Sequence, residues 1–330
     1  MAVLALLWGS GFLWTKLALR HGLSPLQITV LRSALGAAVL LVLARSARQR
    51  LPRGSAIWLR LVVAAFLCNT LPFFLTALGV QSVGSGLAGV LNATTPLWSL
   101  LIGLAAGTER GRHPLRFGGL LLGFAGVLLI FSPWQAASAQ HGAGFGWGAL
   151  ALLGAAASYA VAFTYMGRVL TDTGTEPLAL SAAQLGVAAV LSTLALPAGG
   201  GTTDGFDVLA LAAVAVLGVF CTGLTFHLNY RLIAIEGATG AATVGYLLPV
   251  VSTALGVLVL DEAWSMRTVA GMLVVLAGVF LTRYHRERPT RSTAPVPARA
   301  PTPTTATAIV AATTAGAAET TTTRDRANGP

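Results

Sequence analysis

Acidic residues are scarce in this chain, and none falls inside a long apolar run. Only 11 of its 330 residues are Asp or Glu, charged residues of both signs make up 10%, and the mean hydropathy is +0.75. A water-soluble domain of this length would need far more polar surface. The composition therefore excludes a soluble fold and indicates a protein embedded in a membrane.

Cysteine is nearly absent, and the sequence signatures of catalysis are missing. The two cysteines, Cys68 and Cys221, fall inside apolar segments, where a free thiol usually packs as a small apolar group. No disulfide framework is predicted. The sequence also lacks HExxH, GxSxG, a P-loop and any cluster of metal ligands. We therefore expect neither an enzyme nor a bound cofactor or metal.

What the chain has in abundance is apolar sequence. Windows of about 20 apolar residues, the length that crosses the hydrocarbon core of a bilayer, follow one another from Met1 to Tyr284. The prediction is an all-α integral membrane protein with about ten transmembrane helices. They are placed at 1–19, 26–44, 57–80, 83–107, 116–133, 146–166, 177–197, 207–228, 239–260 and 267–284.

The net charge of +10 lies mostly in alternate loops between these predicted helices. Arginines fill the even-numbered loops and follow the last helix, at Arg45, Arg48, Arg50, Arg53, Arg60, Arg110, Arg112, Arg116, Arg168, Arg231, Arg283, Arg286 and Arg288. By the positive-inside rule the even loops and both termini are cytoplasmic, so the charge indicates topology in a plasma membrane and not a nucleic-acid partner. A single lysine, Lys16, among 21 basic residues suggests a GC-rich bacterial source.

A pattern of small residues, a proline and a glutamate occurs twice, 153 residues apart. Its positions are Gly84, Ala88, Pro96, Ser99, Gly103 and Glu109, which recur as Gly237, Ala241, Pro249, Ser252, Gly256 and Glu262. Because each half contains five predicted helices, an odd number, the second copy is inverted relative to the first. Five-plus-five inverted repeats of this kind surround a central site that faces each side of the membrane in turn.

The repeats divide the chain into four predicted parts. The first repeat is 1–133 and the second is 145–288, and the linker between them, 134–144, has no Asp, Glu, Lys or Arg. The remaining segment, 289–330, is rich in Thr, Ala and Pro without periodicity, which is typical of a disordered tail, here on the cytoplasmic side. GxxxG spacing in the fifth helix permits close approach of another helix.

Few ionisable side chains fall at membrane depth. Arg32 is seven residues past Pro25, roughly 10 Å into the second helix, and Lys16 is near the outer end of the first. One interpretation is that both side chains extend to the outer interface. The other is functional, because no Asp or Glu precedes Glu109 to pair with them. Their partner would then be backbone carbonyls at a broken helix end or an anionic substrate.

Two prolines fall at matching points of the repeats. Pro96 and Pro249 each remove a backbone donor in the middle of a predicted helix. Paired interruptions point to a substrate cavity, and the alternative is a passive kink. Polar and aromatic side chains near this depth complete the predicted substrate-binding set: Trp8, Asn92, Tyr159 and Tyr246. His227 is the remaining candidate for proton coupling, with a hydrogen-bonded structural histidine as the alternative.

Two stretches of sequence carry a family resemblance. LWGSGFLWTKLAL followed by SPLQITVLR resembles the opening of EamA-type members of the drug/metabolite transporter superfamily, and AGVLNATTPLWSLLIGLAAGTER and AATVGYLLPVVSTALGVLVLDE resemble their repeated unit. The resemblance implies ten helices in a five-plus-five inverted repeat, cytoplasmic termini and export of small metabolites or drugs. The first helix lacks the membrane carboxylate of the small multidrug relatives, so drug-cation exchange by that route is not expected.

The sequence thus predicts a secondary transporter of the plasma membrane. It would export a small polar metabolite, an amino acid or a drug by alternating access, with Arg32 holding an anionic group. Its expected partners are the small-molecule substrate and the lipid bilayer, and the protein would be a monomer or a homodimer. The alternative function is a non-transporting membrane scaffold or receptor subunit, for which neither an ordered soluble domain nor a strong partner surface is evident.

Overall fold

The computed structural model describes residues 2–105, 114–131, 143–170, 174–199, 207–229, 244–262 and 265–284. Several features predicted from the sequence lie outside these residues: Glu109, Gly237, most of the linker 134–144 and the tail 289–330. The side chain of Tyr246 lies outside the described part as well. The boundaries of the four predicted parts therefore stay predictions.

The described residues form ten helical segments. They are α1 (Ala2–Arg20), α2 (Pro25–Ser46), α3 (Ser55–Ser82), α4 in two pieces (Ser85–Asn92 and Thr95–Ala105), α5 (Pro114–Phe131), α6 (Ala143–Val169), α7 (Pro177–Gly199), α8 (Val208–Asn229), α9 (Val244–Leu260) and α10 (Met266–Tyr284). Seven of them are long and apolar enough to cross a membrane, and the other three contain shorter apolar stretches. The predicted all-α fold of about ten helices is confirmed.

Local sequence signals set several of the helix starts. Proline is the first residue of α2, α5 and α7, where its missing N–H would have had no helical partner in any case. Ser24 caps α2 by accepting from the backbone N–H of Gln27, while the Gln27 side chain accepts from the backbone N–H of Ser24. This reciprocal pair is a capping box, and it fixes the entry of the helix that carries Arg32.

The helix contacts are related by a pseudo-two-fold symmetry between the halves. Each helix of the first half corresponds to the helix five places later, so that α1 corresponds to α6 and α2 to α7. Three contacts join corresponding helices: α2 with α7, α4 with α9, and α5 with α10. The other contacts come in symmetry-related pairs. The contact of α1 with α9 has its counterpart in that of α6 with α4, and the contact of α3 with α7 has its counterpart in that of α8 with α2. This pairing is what two related halves produce, in agreement with the predicted five-plus-five repeat.

Glycines bring α5 and α10 into backbone contact. A Cβ added at Gly278 of α10 would lie 2.4 Å from the backbone nitrogen of Gly123 and 2.7 Å from the carbonyl oxygen of Gly119. A Cβ at Gly126 of α5 would lie 2.7 Å from the backbone nitrogen of Val275. The close approach predicted from the GxxxG spacing is therefore confirmed, and it joins the two halves of one chain.

The two matching prolines act differently. In α4 the helix stops at Asn92, and after a turn at Ala93 and Thr94 a second piece begins at Thr95, so Pro96 lies in the first turn of a helix. Pro249 lies inside the continuous helix α9. The expected mid-span interruption is therefore present in the first half, whereas Pro249 lies inside an unbroken helix, as the alternative of a passive kink expects.

Candidate functional site

A π-helical segment occurs at the same point of each half. The segments are Phe66–Thr70 in α3 and Val219–Leu224 in α8, and their first residues are 153 positions apart. A π-segment interrupts the regular backbone ladder and is frequent at functional sites. In α3 the Ser158 hydroxyl of α6 donates to the carbonyl oxygen of Leu67 at 2.7 Å. The irregular backbone is thus stabilised by a side chain from the other half of the chain.

Arg32 of α2 is held against the π-segment of α8. Its Nε donates to Thr222 Oγ1 at 2.8 Å, and the Thr222 hydroxyl donates to the carbonyl oxygen of Leu217 at 2.9 Å. The guanidinium carbon lies 3.8 Å from the ring centroid of Phe73 in α3, which is a cation–π geometry. These contacts fix the half-buried side chain. They leave its two terminal nitrogens without a hydrogen bond to any other described residue.

An equivalent but uncharged pair, with the roles of the two halves exchanged, lies opposite. Gln184 lies seven residues after the proline that opens α7, as Arg32 does in α2, and Asn69 stands 153 positions before Thr222. Gln184 Nε2 donates to Asn69 Oδ1 at 2.7 Å, and both side chains are buried. Asn69 Nδ2 is buried with no partner among the described residues. Since buried polar atoms are nearly always satisfied, this amide nitrogen is an unused donor that a ligand or water could take up when the site opens.

Tyr159 of α6 joins the two pairs. Its side chain lies near Arg32 and near Cys68, and Gln184 also lies beside the Cys68 thiol. The Tyr159 ring stacks on Phe163, with the ring centroids 6.0 Å apart. The halves therefore meet at mid-span in one group of polar side chains. We call it the central polar cluster, and it consists of Arg32, Asn69, Tyr159, Gln184 and Thr222.

The central polar cluster has a positive charge and, in the described part of the chain, no carboxylate. The described acids are Glu176, Asp207, Asp261 and Glu262, and all four lie outside the membrane-spanning helices. An unpaired cation at this depth is costly and usually has a functional reason. The free end of the guanidinium is suited to a carboxylate or phosphate, and the neutral groups around it can hydrogen-bond the rest of a small molecule.

No metal site is evident in the residues that the structure describes. Among them no group of three or more His, Cys, Asp or Glu side chains lies close enough together to hold an ion.

Two of the side chains predicted from the sequence, Arg32 and Tyr159, belong to the central polar cluster. Trp8 is half-buried and packs against an apolar group near the start of α1 that includes Val244 and Leu228. This environment is that of a packing residue. No described contact joins Trp8 to the central polar cluster.

The other predicted site residues lie apart from this cluster in the described contacts. Asn92 is half-buried at the end of the first piece of α4, and Pro249 is buried in α9. His227 is half-buried near the end of α8. No described contact links any of these side chains to Arg32, so their roles in binding or proton coupling stay predictions.

Asn69, Gln184 and Thr222 were not among the site residues predicted from the sequence, although the internal repeat relates their positions. Asn69 and Thr222 each follow a cysteine, and the two dipeptides are 153 residues apart, the same spacing as the repeated Gly, Pro and Glu positions. Gln184 occupies the position in α7 that Arg32 occupies in α2. The repeat therefore predicts the equivalence of these residues. Only the packing shows that they form hydrogen-bonded pairs.

Lys16 of α1 closes the end of α3. Its Nζ donates to the carbonyl oxygens of Val80 at 2.5 Å, Gln81 at 3.3 Å and Val83 at 3.1 Å. These are the unpaired carbonyls at the C-terminus of a helix, where a cation is favoured. The Lys16 ammonium group is therefore paired with backbone carbonyls at a helix end, one of the partners predicted from the sequence.

Glu262 makes the complementary contact at the start of α4. Its carboxylate accepts from the backbone N–H groups of Ser85 at 2.6 Å and Gly86 at 3.2 Å, and it interacts electrostatically with Lys16. A carboxylate at a helix N-terminus is stabilised by the free N–H groups and the helix dipole. Because Glu262 follows α9, this contact ties the second half to the first at the end of the bundle that the charge pattern predicts to be external.

A third contact at the same end joins α1 to α8. The His21 ring lies 2.5 Å from the Asp207 carboxylate, which caps α8 by accepting from the Leu209 N–H at 3.0 Å. The Leu209 N–H first, and His21 second, hold the pKa of Asp207 below its ordinary value of 3.8. This exposed pair therefore contributes to stability at pH values above 3.8, and the contribution is lost as the pH falls through the lowered pKa of Asp207.

Known proteins with similar sequences are named as transporters. An uncharacterized transporter of Bacillus subtilis, YvbV, is 25% identical over 85% of this chain and 89% of its own length. An uncharacterized transporter of Archaeoglobus fulgidus is 26% identical over 86% and 95%. The uncharacterized inner membrane transporter YedA of Escherichia coli is 24% identical over 77% and 79%.

The fold also matches a solved structure. A crystal structure aligns with a TM-score of 0.60 over 86% of this chain and 94% of the other, at 20% identity, which shows a shared fold. The sequence model of the EamA-like transporter family matches residues 1–132 and 146–284, so that both repeats are covered, and the chain belongs to this family of membrane transporters.

Proposed function

We propose that this transporter exports a small polar metabolite with an anionic group, such as an amino acid, across the plasma membrane of a bacterium by alternating access. Both termini would lie in the cytoplasm, as the alternation of arginine-rich loops indicates. The two halves would rock about the central polar cluster, which would face each side of the membrane in turn.

The observation that carries the proposal is the free end of Arg32. The guanidinium is fixed by Thr222 and Phe73, lies between the two halves, and has no carboxylate beside it in the described residues. A substrate carboxylate would supply the missing charge, which gives the substrate a strong contact and leaves the empty site less stable. Tyr159 and the buried Nδ2 of Asn69 would contact its neutral part.

The contacts of Lys16 and Glu262 support a state that is closed on the predicted external side. They connect α1 to the end of α3 and the segment after α9 to the start of α4. Opening the external side requires these charge-assisted bonds to break.

Flux through the purified protein tests the proposal. Vesicles containing the transporter should release or accumulate at least one member of a panel of amino acids and small carboxylates faster than empty vesicles do. Repeating the assay with an imposed pH gradient of either sign reports whether protons drive the movement. Fluxes equal to those of empty vesicles across the panel would contradict the proposal.

Replacing Glu262 with glutamine should favour opening of the external side. The amide can still accept from an N–H group but loses the charge that the helix N-terminus and Lys16 stabilise, which weakens the closed state by roughly 1–2 kcal/mol. A membrane-impermeant maleimide added from outside should then label Cys221, in a Cys68→Ser background, roughly tenfold faster.

Glu176→Gln is the matched control for this substitution. Glu176 is an exposed acid at the opposite, arginine-rich end of the bundle, so its loss should leave the labelling rate unchanged. Equal labelling of Cys221 in the Glu262→Gln and parent proteins would show that this contact does not hold the external side closed.

A further inference from the structure

An open cleft of about 820 Å³ lies at the arginine-rich end of the bundle. Its wall comes from the loop after α2, the start of α3 and the residues before α7. Four guanidinium groups line it, those of Arg48, Arg50, Arg53 and Arg60. The only carboxylate among the described lining residues is that of Glu176. The cleft therefore has an excess of positive charge, at the end that the positive-inside rule assigns to the cytoplasm.

Specific contacts hold the walls of this arginine cleft in place. Gln49 Oε1 accepts from the backbone N–H of Ala179 at 3.1 Å, which attaches the loop after α2 to the start of α7. Arg60 Nη1 donates to the carbonyl oxygen of Val169 at 3.3 Å, which attaches α3 to the end of α6. Both contacts join one half of the chain to the other. The cleft is thus built into the packing of the bundle and does not depend on one loop alone.

The backbone at Arg48 adds a second unusual feature. Arg48 has a φ of 55° at the end of α2, a conformation that glycine or asparagine usually provides at a helix C-terminus and that is strained for an arginine. The guanidinium groups of Arg48, Arg50 and Arg53 form no ion pair or hydrogen bond with another described residue. An arginine at this glycine-favouring position, beside other arginines without a described partner, adds positive charge to the cleft at the expense of backbone strain.

A lipid-facing stripe begins beside the cleft. Leu59, next to the cleft residue Arg60, is 69% exposed, and Val62, Val63 and Phe66 continue the exposed apolar surface along α3. Positions separated by three or four residues share one face of a helix. The stripe therefore runs from the level of the guanidinium groups into the hydrocarbon region. A phosphate group at the cleft with an acyl chain along this stripe matches both surfaces.

We propose that the arginine cleft binds the phosphate of an anionic phospholipid, whose acyl chain lies along the Leu59–Phe66 face of α3. The headgroup neutralises the excess charge and joins the two halves at their cytoplasmic end. Free phosphate shares the headgroup chemistry but makes no use of the apolar stripe. A site between helices at the cytoplasmic surface is a common place for such a lipid. This proposal does not depend on which solute the central polar cluster carries.

Lipid retention by the wild-type protein is the first test. The full chain is reconstituted in nanodiscs with equal amounts of phosphatidylglycerol and phosphatidylcholine, extracted in mild detergent, and analysed by native mass spectrometry. We expect bound phosphatidylglycerol to exceed phosphatidylcholine at least tenfold, since four guanidinium groups attract the anionic headgroup. Equal retention of the two lipids would overturn the proposal without any substitution being made.

Charge removal locates the site. The double substitution Arg50→Gln and Arg53→Gln should reduce phosphatidylglycerol retention roughly tenfold. The matched control is Arg45→Gln with Arg168→Gln, which removes the same charge from the same end at exposed positions that do not line the cleft. Retention should stay at the wild-type level in this control. An equal loss in both variants would show general attraction to the basic surface and overturn the cleft as the site.

Competition separates a lipid from free phosphate. Inorganic phosphate in large molar excess should leave bound phosphatidylglycerol in place, because only the lipid also contacts the stripe. A Leu59→Gln variant should lose retention by several-fold while keeping the arginines. Displacement by phosphate together with unchanged retention in Leu59→Gln would show that the cleft takes soluble phosphate, and the lipid assignment would be wrong.

Discussion

Replacing Arg32 with glutamine should reduce transport of the anionic substrate by roughly 100-fold or more, because losing a charge-assisted contact costs about 3 kcal/mol. Glutamine retains an N–H donor for Thr222 and approximates the inner part of the side chain, so the substitution removes mainly the charge and the cation–π contact with Phe73. The measurement is the initial rate of flux in vesicles for the solute that the panel identifies. Arg32→Lys keeps the charge without the planar guanidinium and should retain part of the activity.

The thermal stability of the same variants separates a binding role from a structural one. An unpaired cation at mid-span destabilises the empty protein, so its removal should leave the melting temperature unchanged or raise it. A structural Arg32 would instead be needed for folding, and Arg32→Gln would lower the melting temperature and the folded yield. Loss of folded protein, or full transport by a stable Arg32→Gln variant, would contradict the assignment of Arg32 as the substrate anchor.

Gly278→Ala should abolish most of the folded protein. The added methyl group would lie 2.4 Å from the backbone nitrogen and 2.6 Å from the Cα of Gly123, and backbone atoms cannot move aside as a flexible side chain can. Helices α5 and α10 would have to separate, with a loss of about 3 kcal/mol, the upper end of the usual cost of overpacking. Folded yield and melting temperature in detergent, measured by size-exclusion chromatography with heating, report this effect.

Gly118→Ala is the matched control, since it makes the same chemical change on α5. A Cβ at Gly118 would meet nothing within 4 Å, so only the better helix propensity of alanine remains, up to about 1 kcal/mol in favour of folding. The two substitutions should therefore have opposite signs. A stable Gly278→Ala protein would mean that the α5–α10 contact is looser than the structure indicates.

The helices were predictable because each spans a bilayer and must be apolar along its whole length. A run of some 20 apolar residues gives a strong local signal that does not depend on neighbours. All ten predicted spans correspond to helices whose ends differ by a few residues, as for 26–44 against Pro25–Ser46. The exception was α4, where Asn92 ends a helix and Thr95 begins another. Hydropathy does not record such a break, because both pieces are apolar.

Only two residues of the central polar cluster were predicted from the sequence, because hydropathy does not show which way a side chain on a membrane helix faces. Arg32 was identified from its rarity at membrane depth, and Tyr159 from its polar hydroxyl. Trp8 was predicted on the same grounds, yet it packs in an apolar cluster. A side chain on a membrane helix can face lipid, a neighbouring helix or a cavity, and an apolar sequence with little amphipathic pattern does not distinguish among these directions.

By itself, the sequence determined the membrane location, the approximate helix ends, the duplication and the charge asymmetry of the loops. These properties follow from composition and spacing, which act locally along the chain. The tertiary structure decided which polar groups meet: Arg32 with Thr222, Gln184 with Asn69, and Glu262 with the start of α4. Each of these pairs joins residues more than 100 positions apart. Their contact depends on how ten similar apolar helices choose their neighbours, and small residues and packed shapes, more than hydropathy, determine that choice.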